Sequence, residues 1–304
     1  MPTHKGVSVI IVYGASGFLG SAVANELAQD SKVVAVVREA SDTWRLVQNE
    51  NLQIVKSHQK EWADLITVYK PKVVVCAQWA GVQSSDRNDS KIQDQNVADI
   101  YRIAEVAVQE ECEKFISFGS QAETRESENL IPEKFLSDGP TRYGQAKSRL
   151  AHSLHALLKD TQTEFIWPRI FSIYGPLETR DGLLPSLLKS MTDSKNFKIR
   201  EPSKRWSFLY IDDFVLAIKL IIRSKFNNPV VNIGNSQLTT ILEICRTIDK
   251  DLQFLVDSDA QEKNGFFPSL EQLEKLGWSP STKLLEGCEK SVVSIRQRLS
   301  VKVP

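Results

Sequence analysis

The sequence predicts an α/β fold: a doubly wound parallel sheet over residues 1–174, followed by a smaller C-terminal α/β lobe over residues 175–304. Three observations predict it. Short β-branched runs alternate with longer amphipathic stretches through the first half. The runs Val33–Val37 and Val73–Val75 are apolar at consecutive positions rather than alternate ones, as in strands covered by helices on both faces. A glycine cluster separates the first run from the first amphipathic stretch.

Strands are expected at Val7–Tyr13, Val33–Val37, Leu52–Val55, Val73–Ala77, Lys114–Gly119 and Glu164–Trp167, and helices at Phe18–Ala28, Thr43–Asn49, Glu61–Tyr69, Gln93–Glu110 and Tyr143–Lys159. That alternation implies right-handed crossovers between parallel strands. Glu123–Arg142 is polar, contains Pro132, Gly139 and Pro140, and reads as a long loop of the kind that carries function. After Trp167 the rhythm changes, and Pro168, Pro176, Pro185 and Pro202 punctuate the chain. Helices are expected there at Leu183–Ser190, Asp213–Ile222, Thr239–Ile248 and Leu284–Arg298, and strands at Ser207–Tyr210, Val230–Ile233 and Leu252–Val256. The segment around 206–235 is a candidate to return to the sheet.

The 304 residues are long for one compact domain and suit two lobes. With 41% hydrophobic and 25% charged residues the composition is globular. Lys+Arg and Asp+Glu are both 38, so the net charge is zero. Without a basic excess nothing draws the chain to nucleic acid or anionic lipid. No apolar run reaches the roughly 18 residues of a membrane span, and Met1–Gly6 has no secretory pattern. Cys76, Cys112, Cys245 and Cys288 are isolated, which fits free thiols in a cytoplasmic protein. No metal site is expected: His152 and His155 have no second ligand cluster, and the Asp212–Asp213 pair reads as a helix N-terminus with a capping aspartate.

The first strand runs into Tyr13-Gly14-Ala15-Ser16-Gly17-Phe18-Leu19-Gly20. Gly14 permits a tight turn, Gly17 lets backbone approach a pyrophosphate, and Gly20 lets the helix pack closely. The N–H groups at the helix start, around Ser16, Phe18 and Leu19, then face a phosphate. This is a dinucleotide site by strand–turn–helix context. Arg38 follows the second strand, 24 positions after Gly14. An acidic residue there selects NAD and a basic one accommodates a 2′-phosphate, so Arg38 points to NADP(H). Glu39 beside it could serve the ribose if its side chain turns inward.

Tyr143 and Lys147 are four apart on a predicted helix and therefore share a face. A lysine cation there is expected to draw the phenol pKa from about 10 toward neutrality, making Tyr143 a usable acid or base. Ser120 ends the preceding strand, where a doubly wound sheet forms its crevice. Ala77, Gln78 and Trp79, after the fourth strand, are candidates to line it. Arg169 is as compatible with a structural pair as with a ligand contact.

Together, Gly14/Gly17/Gly20, Asn96, Ser120, Tyr143/Lys147 and Pro168–Pro176 resemble an extended short-chain dehydrogenase/reductase with a Rossmann-type domain. The nearer likeness is to the NAD-dependent epimerase/dehydratase family acting on nucleotide sugars. The resemblance covers nearly the whole chain. It implies catalytic roles for Ser120, Tyr143 and Lys147. It implies cofactor contacts from Gly14, Ser16, Gly17, Phe18, Leu19, Gly20, Arg38, Ala77, Gln78, Asn96, Tyr143 and Lys147, and substrate contacts from Trp79, Gln121, Ser172 and Arg205. A homodimer through the helices Gln93–Glu110 and Tyr143–Lys159 is implied by analogy. Ser172 departs from the family's asparagine. Glu123-Thr124-Arg125 replaces its Val-Tyr-Gly after the serine, and the acidic residue near the adenine is missing around Ser57–His58. A second diphosphate arginine is not evident near Lys263–Phe267.

Family dehydratases carry Asp-Glu directly after the Ser/Thr, whereas Gln121-Ala122 stand here. With Arg38 favouring NADPH, the resemblance implies reduction of the C4 keto group of a nucleotide-linked 4-keto-6-deoxyhexose. The alternatives are a nucleotide-sugar 4-epimerase with tightly bound dinucleotide and a non-catalytic NADP-binding regulatory protein.

Overall fold

The computed structural model describes residues 8–82, 85–178, 182, 184–187, 198–199, 204–248, 255–256 and 265–300. Val7, the two ends of the helix expected at Leu183–Ser190 (its residues 184–187 are described and helical), and the first residues of the strand expected at Leu252–Val256 lie outside them. So does Lys263.

The chain divides into two compact units: Met1–Thr124, Lys134–Arg169 and Ile218–Val231 form the first, and Arg125–Glu133, Ile170–Ala217 and Asn232–Pro304 the second. The expected boundary at 174/175 thus falls at 169/170, and the chain crosses it more than once. Residues 125–133 belong with the second unit, whereas 218–231 belong with the first.

In the first unit, β1 (Val9–Tyr13), β2 (Lys32–Arg38), β3 (Leu52–Ser57), β4 (Val73–Cys76), β5 (Lys114–Ser117), β6 (Gly119–Ser120) and β7 (Glu164–Ile170) alternate with helices α1 (Phe18–Leu27), α2 (Asp64–Tyr69), α3 (Ser90–Gln109) and α4 (Arg142–Leu158). The sheet runs β7-β5-β4-β1-β2-β3, with β6 against β7, and the pairs from β7 to β3 are parallel. β1 lies at the centre with β2 on one side and β4 on the other, the strand-order reversal that opens a ligand crevice at strand C-termini. Ile11, Tyr13, Val34, Val36, Val74, Cys76, Phe115 and Trp167 pack with residues of α2, α3 and α4 into one core. The alternate residues Ile10, Val12, Val33, Ala35 and Val37 are equally buried on the other face, and α1 packs on β1 and β2. Strands covered on both faces read as unbroken apolar runs, which is why these were visible in the sequence.

Three expectations need correction. Thr43–Asn49 is not a helix. The Asn25 side chain donates to the Arg45 carbonyl and accepts from the Val47 amide, and Asp42 accepts from the Trp44 amide. Side chains thus take up backbone groups that a helix would have paired internally. The strand from Glu164 continues through Pro168 to Ile170. The Glu164 amide donates to Glu113 and the Trp167 amide to Pro229. The amide that proline lacks would therefore point to β5's side, at the place where β5 ends and β6 takes over beside β7. The helix expected from Glu61 begins as a 3-10 turn, Gln59–Glu61, and becomes α-helical only at Asp64.

The second unit holds β8 (Ser172–Tyr174), β9 (Lys198–Ile199), β10 (Arg205–Trp206) and β11 (Phe208–Tyr210), and helix α5 begins there (Ile211–Arg223). β12 (Val230–Ile233) joins the main sheet beside β7. β13 (Thr239–Thr240), α6 (Ile241–Ile248), β14 (Leu255–Val256), α7 (Glu271–Lys275) and α8 (Leu284–Ser300) complete it. β8 and β11 pair in parallel, and Tyr174 stacks edge-on against Phe208 and Tyr210. The Asp213 carboxylate accepts from the Ser281 amide and hydroxyl and from the Thr282 amide. It therefore ties down the approach to α8 rather than capping its own helix.

Candidate active site

The glycine turn between β1 and α1 is shaped by close backbone approach. Gly14 has φ +76°, and a Cβ there would lie 2.6 Å from the Gln78 backbone, so both strain and space require glycine. A Cβ on Gly20 would overlap the Gly14 carbonyl. Helix α1 starts behind Gly17 with no side-chain cap and no acidic residue in its first turn. The N–H groups at its start therefore lack the usual partners and present a partial positive charge. Beside them, both ends of the buried Gln78 amide have no hydrogen-bond partner. An uncapped helix start, a bare glycine turn and an unpaired amide are the features a dinucleotide pyrophosphate would complete.

Arg38 is exposed at the C-terminal end of β2. Arg45, which the sequence reading missed, donates to the Ser16 carbonyl within the glycine turn at 3.2 Å. Its guanidinium stacks on Trp44, 4.2 Å from the ring centroid. Glu39 pairs with His58 at 2.7 Å, both exposed.

Ser120, Tyr143 and Lys147 converge one residue beyond Gln78. Trp79 meets the Tyr143 ring edge-on, with centroids 5.8 Å apart, and the Lys147 ammonium sits 3.7 Å over the Trp79 ring. Lys147 Nζ also donates to the Phe118 carbonyl at 2.5 Å. The strand that ends at Ser120 packs against α4, and the Arg87 guanidinium lies 5.5 Å from the Tyr143 ring. Trp79 is fixed by Gln93, whose Oε1 accepts from the indole at 2.8 Å and whose amide donates to Gly81 and Asp86 carbonyls. Asn96 spends both ends of its amide on the Ala80 backbone, so it shapes the segment after β4.

The electrostatics correct one expectation. Burial pushes the Tyr143 phenol above its ordinary pKa, opposed by Ser120 and Arg87 and reinforced by Glu123. Lys147 is not among the groups acting on it. Burial brings Lys147 itself down to about 7, against Glu123 and Cys76, which raise it. Both side chains are shielded from water, at 8% and 3% exposed, so desolvation exceeds the pairwise attraction the sequence suggested.

A stability prediction follows. Below about pH 7 the folded and unfolded states both carry the Lys147 proton, and the fold bears the full cost of the buried charge. That cost fades as pH rises from about 7 toward the ordinary lysine value. Lys147→Met should therefore melt higher relative to native at pH 6.5 than at pH 9.5, roughly the limits of that window. A melting-temperature difference that is constant across this range would refute the buried-charge account.

The sequence reading also missed Glu123, although Ser120-Gln121-Ala122-Glu123 has the S-x-x-E spacing of a capping box. Such a box is present here. The Ser120 amide donates to Glu123 Oε1 at 2.7 Å, and the Ala122 amide donates to the Ser120 hydroxyl at 3.2 Å. Glu123 also accepts from the Trp167 indole at 3.0 and 3.1 Å and from Arg169 Nε at 3.1 Å. The Glu123 and Arg169 side chains are 1% and 0% exposed. Arg169 is thus paired within the fold. Gly144 brings α4 tight against this turn, because a Cβ there would overlap the Ala122 carbonyl. Ala77 is held through its amide to the Tyr13 carbonyl, and Gln121 is partly exposed at the start of the 3-10 turn.

Ser172 and Arg205 belong to the second unit. Ser172 opens β8, paired with Phe208. Arg205 is exposed on β10, and its carbonyl accepts from the Phe266 amide. The adjacent Lys204 is buried, pairs with Glu126 and lies 5.0 Å from the Trp206 ring centroid.

A parallel sheet with a crevice-side glycine turn and a Ser-Tyr-Lys cluster defines a nucleotide-cofactor enzyme class, and comparison with known proteins agrees. Residues 10–234 match the NAD dependent epimerase/dehydratase family, and the chain belongs to that family. It is 21% identical over 267 residues to a dTDP-D-glucose 4,6-dehydratase of Dictyostelium discoideum, covering 80% of this chain and 62% of the relative. It is 26% identical over 205 residues to a dTDP-4-dehydro-6-deoxyglucose reductase of Escherichia coli, covering 61% and 62%. These matches span about three fifths of each relative. In fold, the chain superposes on a UDP-glucuronic acid 4-epimerase from Bacillus cereus in complex with UDP-glucuronic acid and NAD. The TM-score is 0.83 and the identity 23%, covering 95% of this chain and 99% of that one. No helix among the described residues is long and apolar enough to cross a membrane.

Proposed function

We propose that this protein reduces the C4 keto group of a nucleotide-linked 4-keto-6-deoxyhexose with NADPH. The observation that carries this reading is the contact chain Gly14–Gln78–Trp79–Tyr143/Lys147, which brings the glycine turn and the acid–base pair to one place. The family includes enzymes whose names describe dehydration, epimerisation and reduction of nucleotide sugars, so the residues of this chain must choose among them.

Two features support reduction. A phenol whose pKa is raised by burial is protonated at neutral pH, the form that donates to a developing alkoxide. An enzyme that begins by oxidising an alcohol needs the opposite form. Elimination of water needs an available carboxylate beside Ser120. Gln121 and Ala122 supply none, and Glu123 is sealed by Ser120, Trp167 and Arg169.

The glycine turn, the α1 N-terminus and Gln78 would hold the cofactor, with Arg38 and Arg45 at its adenosine ribose. Two guanidiniums there, with Glu39 engaged by His58, support NADPH over NADH. A reduced nicotinamide supplies hydride. Ser120 orients the carbonyl oxygen, and Tyr143 transfers its phenolic proton to that oxygen. Ser120 and Arg87 then face the phenolate left behind. Trp79 and Gln121 line the substrate side, and Arg205 and Ser172 would meet the diphosphate.

The test is the loss of NADPH absorbance on 4-keto-6-deoxy sugars carrying dTDP, GDP, CDP or UDP, each repeated with NADH. We expect turnover on at least one, with NADPH preferred by about tenfold or more, the worth of one charge-assisted contact. No oxidation on any of them, with isomerisation of an intact nucleotide sugar, would replace this reading with a 4-epimerase.

A further inference from the structure

The buried Glu123–Arg169 pair has no part in the chemistry above, yet it lies directly beside Ser120. Its carboxylate is 1% exposed and accepts from a backbone amide, an indole and a guanidinium. A pair that served packing alone could be replaced by apolar groups at little or no cost. This one is bonded directly to the Ser120 amide. It also lies across the Trp167 indole, whose ring is 5.8 Å from the Lys147 ammonium.

We propose that Glu123 is a positioning residue of this site: it holds Ser120 on its turn and keeps a negative charge near the Lys147 ammonium. The groups that act on Lys147 come from each element around it. They are Glu123 from the turn after β6 and Cys76 from the end of β4, with the Trp79 ring and the Phe118 carbonyl completing its seat. Of these two, only Glu123 is a carboxylate, and burial holds the Cys76 thiol up at about 12. Glu123 opposes the desolvation that drives the lysine toward its neutral form. Without it, the cation would keep the Phe118 carbonyl and the faces of Trp79 and Trp167. Its catalytic meaning rests on the reduction proposed above, but its electrostatic content does not.

The experiment follows the protonation of Lys147 by NMR in isotope-labelled protein, without substrate, using Lys147→Met to assign the signal. Glu123→Gln should lower the Lys147 titration midpoint by about one unit, the size of effect a nearby charge exerts. Because that variant takes the carboxylate away from the buried Arg169, Glu123→Gln/Arg169→Met provides the same reading with both members of the pair replaced, and its midpoint should move the same way. Trp167→Phe keeps the carboxylate and an aromatic ring, removes one of its hydrogen bonds, and should leave the midpoint in place. An unmoved midpoint in either folded Glu123 variant, or an equal shift in Trp167→Phe, overturns the proposal. Neither result bears on whether the protein reduces a keto sugar, which the absorbance assay decides.

Discussion

Tyr143→Phe should lower kcat by about a hundred- to ten-thousand-fold, the range that a positioned general acid contributes, while NADPH affinity stays within about twofold. The variant removes one oxygen. The ring keeps its edge-on contact with Trp79 and its place under Arg87, and the glycine turn is untouched. The loss of one hydroxyl is worth about 1 kcal/mol of stability, too little to unfold the site. Cofactor fluorescence titration and single-turnover reduction separate the two effects. Turnover equal to native would remove Tyr143 from the chemistry and leave the family likeness without a mechanism in this chain. Weakened NADPH binding with an unchanged single-turnover rate would make the phenol a cofactor ligand rather than an acid.

What the sequence disclosed and what it hid follow from how far apart the interacting groups lie along the chain. The glycine turn was legible because three glycines, a strand and a helix start fall within a dozen or so residues. Tyr143 and Lys147 were legible for the same reason, being one helical turn apart. Their electrostatics were not. Spacing shows that a lysine is near a tyrosine, but not that Trp79 covers one and abuts the other, which decides that burial governs both pKa values. Glu123 and Arg169 are separated by 46 positions, and the pairing of β5 and β6 with β7 brings their segments side by side. The local half of that arrangement, the capping box from Ser120 to Glu123, was present in the sequence as S-x-x-E. At Thr43–Asn49 the helical pattern was real but weak, and one remote side chain, Asn25, was enough to divert the backbone.

Arg169→Met should be the most destabilising single substitution discussed here, costing about 3–5 kcal/mol by equilibrium unfolding. The argument is asymmetric burial. Arg169 is fully enclosed, with Nε on Glu123 and Nη2 donating to the Lys134 carbonyl at 2.8 Å. Taking the cation away leaves a carboxylate in a dry interior with only an amide and an indole to solvate it, and neither carries charge. The cost is therefore the uncompensated anion rather than the worth of the pair. The double variant Glu123→Gln/Arg169→Met discriminates between these. If an unpaired charge is the cause, removing it as well should recover more than half of the lost stability, giving a coupling of about 2 kcal/mol or more in the double-mutant cycle. If the guanidinium instead matters through packing and its bond to Lys134, the double variant will be no better than Arg169→Met. A recovered fold that still shows the lowered Lys147 midpoint would separate the two roles of the pair: Arg169 makes the buried carboxylate tolerable, and the carboxylate supports the Lys147 cation.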